Sequence, residues 1–486
     1  LVAVKGRPRA FIFALYFIER QDKGLKERLK KVKRETTNKS TKVPELSTMK
    51  SVYPLISVTV LLAFSFASSP LSASEQAGEV MQGVPPVRES QVTMANYRQY
   101  PYSRWAFRNA GAPLHLVMIP REGQIRELSK PIAPGLGAFE VSDLQGKSVG
   151  FDQLFKDNYT DGLVIVRGNK LLHENYFSGF TEHSAHIWFS MSKSLASTAF
   201  GILVDEGRVD LQASPAKYIP ELKGSGFERV TIQQVLDHST SLDFYETYTD
   251  LTTNFARYYA PALNLGWMPG AADVQPDQAE IYGVHDFLAR FIKPDLTREP
   301  GDNFDYNSSN ADVLGWLIAR IIGLPFETFI QQKIWSKLGA EHDGFIAVDR
   351  AYMPAVTGGM NSTTRDAARF GMMVRDRGEY NGQQIVSADW VDATLDISDG
   401  LLGNMAANPK YQDESWSAYH NMWWVLNAAD GEYCAVGIHG QVIYINRKSD
   451  TVMVWFSSQP GASAAKNPNF RVKLNAARQL AGALGS

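Results

Sequence analysis

The sequence predicts a mixed α/β (α+β) fold: an antiparallel sheet flanked by helices, with a large, mostly helical insertion domain. Three observations carry this prediction. Strand-like patterning occurs twice, over residues 162–177 and again over 419–457, with helix-like patterning between and after. The first strand-like block divides at Arg167-Gly168-Asn169-Lys170, which joins Gly162–Val166 to Leu171–Phe177 as a β-hairpin. Immediately afterwards the period changes: Leu195, Phe200 and Leu203 fall on one face of a helix over Met191–Asp205, which Gly207 ends.

The elements follow in order. Residues 1–48 carry 13 Lys/Arg against 5 Asp/Glu and are set aside from the fold as a segment upstream of it. At Met49-Lys50 a short basic start leads into an apolar run from Val52 to Ala67, then into Ser68–Glu75. This is the pattern of a secretory signal peptide over 49–73, cleaved after Ala73. The run is short for a membrane span and contains Pro54, Ser57 and Thr59, so no stable membrane anchor is expected once the signal is removed. Residues 74–150, rich in Pro, Gly and polar residues, read as an irregular arm over the core. Residues 151–486 form the main domain. Its sheet part comes from 151–207 and 401–486, and its helical part covers about 208–400. Helical patches fall at Ile232–Asp237, Val313–Ile322 and Phe326–Leu338. Strands return at Trp423–Leu426, Val442–Ile445 and Thr451–Phe456, and Asn469–Leu484 closes the chain as a helix.

Composition narrows the function. Beyond residue 48 the chain carries 36 Lys/Arg against 46 Asp/Glu, so its bulk is acidic and a nucleic-acid partner is not expected. A single cysteine, Cys434, allows no internal disulfide and no cysteine-based zinc site. No metal and no organic cofactor is implied. A signal peptide places the mature protein outside the cytoplasm, periplasmic or secreted.

The chemistry concentrates in three segments. In Trp188-Phe189-Ser190-Met191-Ser192-Lys193, a serine stands where an amphipathic helix begins and a lysine follows one turn along on the same face. A serine hydroxyl needs a base to attack a carbonyl at neutral pH, and a desolvated lysine can be one. The helix N-terminus offers backbone N–H groups to a developing oxyanion. In Phe304-Asp305-Tyr306-Asn307-Ser308, a tyrosine precedes a helix beginning near Ala311. With its phenol acidified by a neighbouring ammonium, Tyr306 could pass a proton to a leaving group. In Cys434–Ile445, glycines bracket His439 ahead of a strand, where backbone can approach a ligand closely.

These three segments, in this order, resemble the serine β-lactamase and penicillin-binding-protein superfamily in its class C β-lactamase-like branch. Ser190-Met-Ser-Lys193 matches the family's Ser-x-x-Lys, and Tyr306-Asn-Ser308 its Tyr-x-Asn/Ser. Leu203–Leu211, Thr231–Ser239 and Arg365–Gly371 also look like the family. The resemblance covers roughly 150–485. It implies a β-lactamase-like fold and a serine hydrolase using Ser190, Lys193 and Tyr306, with the backbone of Ser190 and Ile438 as oxyanion hole. The third motif departs from the family: with Gly437 in the glycine position, Ala435-Val436 stand in its Lys-Thr places. The groups that would hold a β-lactam carboxylate are missing, which argues against an efficient β-lactamase. The stretch around His439 and Leu242–Tyr248 resemble members of the 6-aminohexanoate-dimer hydrolase type. That likeness implies pocket or substrate roles for Tyr248, Glu246, Ser308, Gly437 and His439, with His439 structural or at the rim. Trp423, Trp424, Tyr419 and Tyr248 hint at an aromatic pocket.

The expected activity is hydrolysis of a small-molecule ester or amide through an acyl-enzyme on Ser190, as an amidase of 6-aminohexanoate oligomers or a carboxylesterase. The alternatives are a catalytically silent binding or sensor domain of the same fold, or a D-amino-acid peptidase or β-lactamase. His173-Glu174 lacks the second histidine of a zinc-protease motif.

Overall fold

The computed structural model describes residues 80–486 apart from 129–130, 134, 249, 266–280, 413–415 and 465–466. The expected signal peptide and the segment upstream of it lie outside the described residues.

Seven strands make one antiparallel sheet: β1 (Thr160–Arg167), β2 (Lys170–Tyr176), β3 (Ala418–His420), β4 (Trp423–Asn427), β5 (Glu432–Gly437), β6 (Gln441–Asn446) and β7 (Thr451–Ser457). Their order across the sheet is β3-β4-β5-β6-β7-β1-β2. The early hairpin thus joins the late meander where β7 pairs with β1, with Val454 opposite Val164. Every residue of β5, β6 and β7 is buried. Helices cover both faces of the sheet, so residues pointing either way from these strands are buried.

On one face lie α1 (Met191–Asp205) and α3 (Thr364–Arg375). Gly371 of α3 sits so close to the sheet that an added Cβ would meet Val452 at 2.8 Å and Ile443 at 2.9 Å. On the other face Phe155 packs edge-to-face on Trp455 at 5.4 Å. There α4 (Pro468–Gly485), opened by the Asn467 cap and Pro468, fixes Lys473 to Ser457 Oγ at 2.6 Å. The insertion holds α2 (Ser309–Ile322), which Gly323 terminates at φ +72°.

The described part of residues 74–150 is more regular than an arm of loops. Leu116–Ile119 pairs with Gly344–Ala347, which pairs with Met360–Thr363, itself paired with Ala185–Ile187. The arm and the helical insertion therefore share a second, four-stranded sheet. This sheet holds the segment just ahead of Ser190: Trp188 donates its amide to Met360 O at 2.8 Å and its indole N–H to Ser362 Oγ at 2.8 Å.

Candidate active site

Ser190 is the N-cap of α1, reached through a strained residue. Phe189 has φ +46°, a conformation a bulky side chain rarely adopts. It is kept there by packing, with Phe107 at 4.9 Å and the His439 ring at 5.6 Å, and by the pinned Trp188 before it. The turn aims Ser190 into the cleft while Lys193 follows in the first helical turn.

Lys193 is 1% exposed. Its Nζ lies 2.8 Å from Ser190 Oγ and donates to Thr357 O at 2.9 Å. Burial pulls the ammonium down to about 8, while Glu246 and Asp312 hold it up. A buried amine near neutrality, in contact with a serine hydroxyl, is suited to take that hydroxyl's proton.

Tyr306 faces the same amine, with Lys193 Nζ 5.1 Å from its ring centre. Its phenol is not acidified as the sequence suggests. Burial raises it, the Glu246 carboxylate raises it further, and the Ser190 hydroxyl lowers it by less. The reason is that desolvation and the Glu246 carboxylate outweigh the Ser190 hydroxyl. Tyr306 rests as a neutral phenol, a proton donor rather than a standing phenolate.

The ring is backed by His238, 4.8 Å away, and stacks on Trp424 at 5.4 Å. His238 Nδ1 accepts from the Asn307 amide at 3.0 Å, which places the ring proton on Nε2. Burial and the nearby Lys193 push this imidazole well below its ordinary value, so it stays neutral. The helix after Tyr306 begins at Ser309, two residues before the sequence pattern suggests. The Asn307 side chain starts it by accepting from Ser309 N at 3.0 Å, and Ser308 N donates to Glu246 Oε2 at 2.7 Å. The other Glu246 oxygen accepts from Tyr248 Oη.

The third segment closes the site from β5. A Cβ on Gly437 would lie 2.3 Å from Trp188 O, so the end of β5 passes against the backbone that delivers Ser190. Ile438 then lines the cleft with Ser190. Val436 occupies the wall where the family motif has a threonine. His439 is elsewhere: it lines neither cavity, is 2% exposed, and its Nδ1 meets Gln459 O at 2.8 Å. With its φ of +61°, the ring packs in the Phe107–Phe189 cluster.

Two cavities meet at Ser190, Tyr248 and Ile438. One, open to solvent, spans about 540 Å³ between Tyr306, Tyr411, Trp416 and Trp424, with Lys410 and Glu246 at its polar edge. The other, also open, spans about 430 Å³ between Phe189, Phe255, Tyr259 and Leu263, with Arg98 and Ser308. Of the four aromatics picked from the sequence, Trp424 and Tyr248 line these walls. Tyr419 stands behind Tyr306, and Trp423 packs on Phe370 and Tyr433. Sequence reading did not single out Trp416, Tyr411, His238, Thr357 or Asp312. Of these only His238 lies in a stretch with a family-like signature, Thr231–Ser239. Among the described residues no group of three or more His, Cys, Asp or Glu is arranged to hold a metal.

Comparison with known proteins matches residues 151–477 to the family described as Beta-lactamase. A 6-aminohexanoate-dimer hydrolase from Paenarthrobacter ureafaciens is 31% identical over 368 residues, covering 76% of this chain and 88% of that one. A solved structure of a candidate 6-aminohexanoate-dimer hydrolase from Bacillus anthracis superposes with TM-score 0.70 at 28% identity, covering 82% of this chain and 98% of that one. A penicillin-binding-protein homologue from Caulobacter crescentus shares the fold at TM-score 0.50 and 13% identity, over 68% and 96% of the two chains.

Proposed function

Because this chain belongs to the beta-lactamase family, we propose that it is a serine hydrolase that cleaves ester or linear amide bonds through an acyl-enzyme on Ser190, an amidase or carboxylesterase of the 6-aminohexanoate-dimer hydrolase type. The observation that carries the reading is the buried Lys193 amine 2.8 Å from Ser190 Oγ at the junction of two cavities. A substrate with an extended chain on each side of its scissile bond fits such a junction, one arm in each cavity. The likeness to the Paenarthrobacter ureafaciens enzyme supports the amide class. Val436 and Ala435, in the Lys-Thr places of the family motif, weigh against a β-lactam substrate with its carboxylate.

In the proposed cycle, neutral Lys193 takes the Ser190 proton as Oγ adds to the carbonyl carbon. The Ser190 and Ile438 amides receive the oxyanion. Tyr306 donates its proton to the departing nitrogen or oxygen and is reprotonated from Lys193. Water then adds to the acyl carbonyl, its proton passing to the same pair, and Ser190 leaves with a proton. Glu246 holds Tyr248 and the Ser308 amide, so it shapes the wall the substrate meets. The protein is further proposed to act after export, on the strength of the 49–73 signal pattern. Sequencing the N-terminus of the secreted or periplasmic protein tests that.

The test of the function is hydrolysis of a short-chain p-nitrophenyl ester by residues 74–486 and by the Ser190→Ala form, followed by a linear amide series. Turnover by the native chain alone supports the reading. Equal turnover by both removes Ser190 as the nucleophile. Folded protein without turnover or serine labelling in either form would favour a silent binding domain.

A further inference from the structure

We propose that Asp312 is a positioning residue for Lys193: by holding the Thr357 amide it fixes the residue whose carbonyl receives the lysine amine, and it presents the amine with a negative charge. This rests on the reading of Ser190 and Lys193 as the reacting pair.

Asp312 is 2% exposed, and among the described residues it has no cation within ion-pair distance. Both its oxygens are nonetheless engaged. Oδ1 accepts from Thr357 N at 3.0 Å, and Oδ2 accepts from the fully buried Tyr259 hydroxyl. On the far side of the same residue, Thr357 O accepts from Lys193 Nζ at 2.9 Å. Carboxylate and amine thus hold residue 357 from its two sides, Asp312 by the amide and Lys193 by the carbonyl, so the position of the carbonyl depends on the carboxylate. A buried carboxylate without an ion pair is costly, and a fold that only needed to brace this loop could use a neutral acceptor. Burial raises its carboxyl to about 7, while the Tyr259 and Thr357 bonds, Lys193 and its place in the first turn of α2 favour the anion, so its charge is present on the neutral and alkaline side.

The arrangement is mechanically stiff. A Cβ on Gly315 of α2 would meet Val356 at 2.4 Å, so helix and loop are in close contact beside the Asp312–Thr357 bond. The loop is folded on itself by Gly358 N and Gly359 N donating to Ala355 O, and tied to the small sheet by Ala355 N to Ala347 O at 2.8 Å. Tyr259 ends a π-helical turn, Phe255–Tyr259, of the kind that recurs at functional sites. The groups facing Lys193 are Ser190 from its own helix, Tyr306 ahead of α2, His238, Glu246, and Asp312. The first three are neutral, which leaves Glu246 and Asp312 to favour the ammonium.

The sign follows. Removing the Asp312 charge makes the ammonium easier to deprotonate, so the acid limb of activity moves to lower pH. In the full chain, kcat/KM for a short-chain p-nitrophenyl ester is measured from pH 5.5 to 9.5 for the native protein, Asp312→Asn and Tyr259→Phe. Asp312→Asn keeps an oxygen for the Thr357 amide, and its limb is expected about one pH unit lower. Tyr259→Phe removes a bond that favours ionised Asp312, whose carboxyl burial already raises to about 7, so Asp312 stays protonated over more of the range and the limb moves the same way by less. At the acid end Asp312→Asn then outruns the native protein relative to its own maximum, which a purely structural lesion does not produce. A limb that stays in place or moves upward, or activity scaled down equally at all pH, overturns the proposal. If Asp312→Asn does not fold, the Tyr259→Phe limb decides alone. A native chain that neither turns over ester nor labels with a fluorophosphonate refutes the Ser190 reading instead, a distinct result.

Discussion

Substituting Gly437 by alanine tests the oxyanion role proposed for the end of β5. The new methyl would lie 2.3 Å from Trp188 O, and 3.0 Å from the Gln441 Cβ. Side-chain carbons essentially never come within 3.0 Å of a neighbour, so the two backbones must part by about 0.7 Å even to reach that limit. Neither can yield by a rotamer change: one partner is a peptide carbonyl, and Trp188 is fixed through both its amide and its indole nitrogen. The displacement falls on the peptide that carries the Ile438 amide. Loss of one oxyanion donor, or misplacement by about 1 Å, costs on the order of 10²-fold in kcat. Overpacking of this kind costs about 1–3 kcal/mol of stability as well. Gly437→Ala should therefore drop kcat on a p-nitrophenyl ester about 100-fold, with a change in KM of less than about threefold. Gly403→Ala, whose new methyl meets nothing within 4 Å, is the control. Folded Gly437→Ala with kcat within about threefold of native would refute the assignment of Ile438 to the oxyanion hole.

Other perturbations test the remaining parts. Lys193→Ala should lose about 10³-fold or more in kcat while Lys217→Ala, an exposed lysine, keeps full activity; equal activity in the two removes the general base. Tyr306→Phe should lower kcat about 10²- to 10⁴-fold, and the loss should shrink as the leaving group of a phenyl ester series becomes more acidic. Because burial lowers Lys193 and its neutral form is the reactive one, kcat/KM should rise with pH and level off above about 8, and a flat profile from 6 to 9 would contradict a lysine base. Lys473 is buried and pulled down to about 7 from the usual 10.5, chiefly by desolvation. The unfolded chain then holds a proton that the folded chain lacks between those values, so stability should rise from pH 7 towards 10. Urea melts of Lys473→Met should show a shallower rise.

The parts of the fold legible in the sequence are those whose pattern is local. The 160–176 hairpin, β6, β7 and α1 stand out because their apolar residues follow one period and glycine or charged residues mark their ends. β5 is not legible, although all six of its residues are buried. Glu432 at its start reads as surface. In the structure it pairs with Arg478 at 2.8 Å and accepts from Tyr444 Oη at 2.7 Å, so its charge is neutralised by a residue 46 positions away and its remaining need met by one 12 away. The Met360–Thr363 strand is hidden for the same reason, since its polar Asn361 and Ser362 are satisfied internally by Gly359 O and the Trp188 indole.

The candidate site divides along the same line. Ser190 and Lys193 are legible because one helical turn sets their separation, and three residues of sequence are enough to see it. What tunes them is not. Asp312 and Thr357 are 45 residues apart, and Glu246 and Ser308 are 62 apart, joined only by the fold. Tyr306 illustrates the point: the sequence offers a lysine that could acidify its phenol, but not the burial and the Glu246 charge that raise it. A reactive pair can be written into a single turn of helix, whereas its protonation state belongs to whichever distant groups the fold buries beside it. Members of one family can therefore share Ser-x-x-Lys and differ in the pH at which it works. In this chain that difference is expected to reside in Asp312 and Glu246.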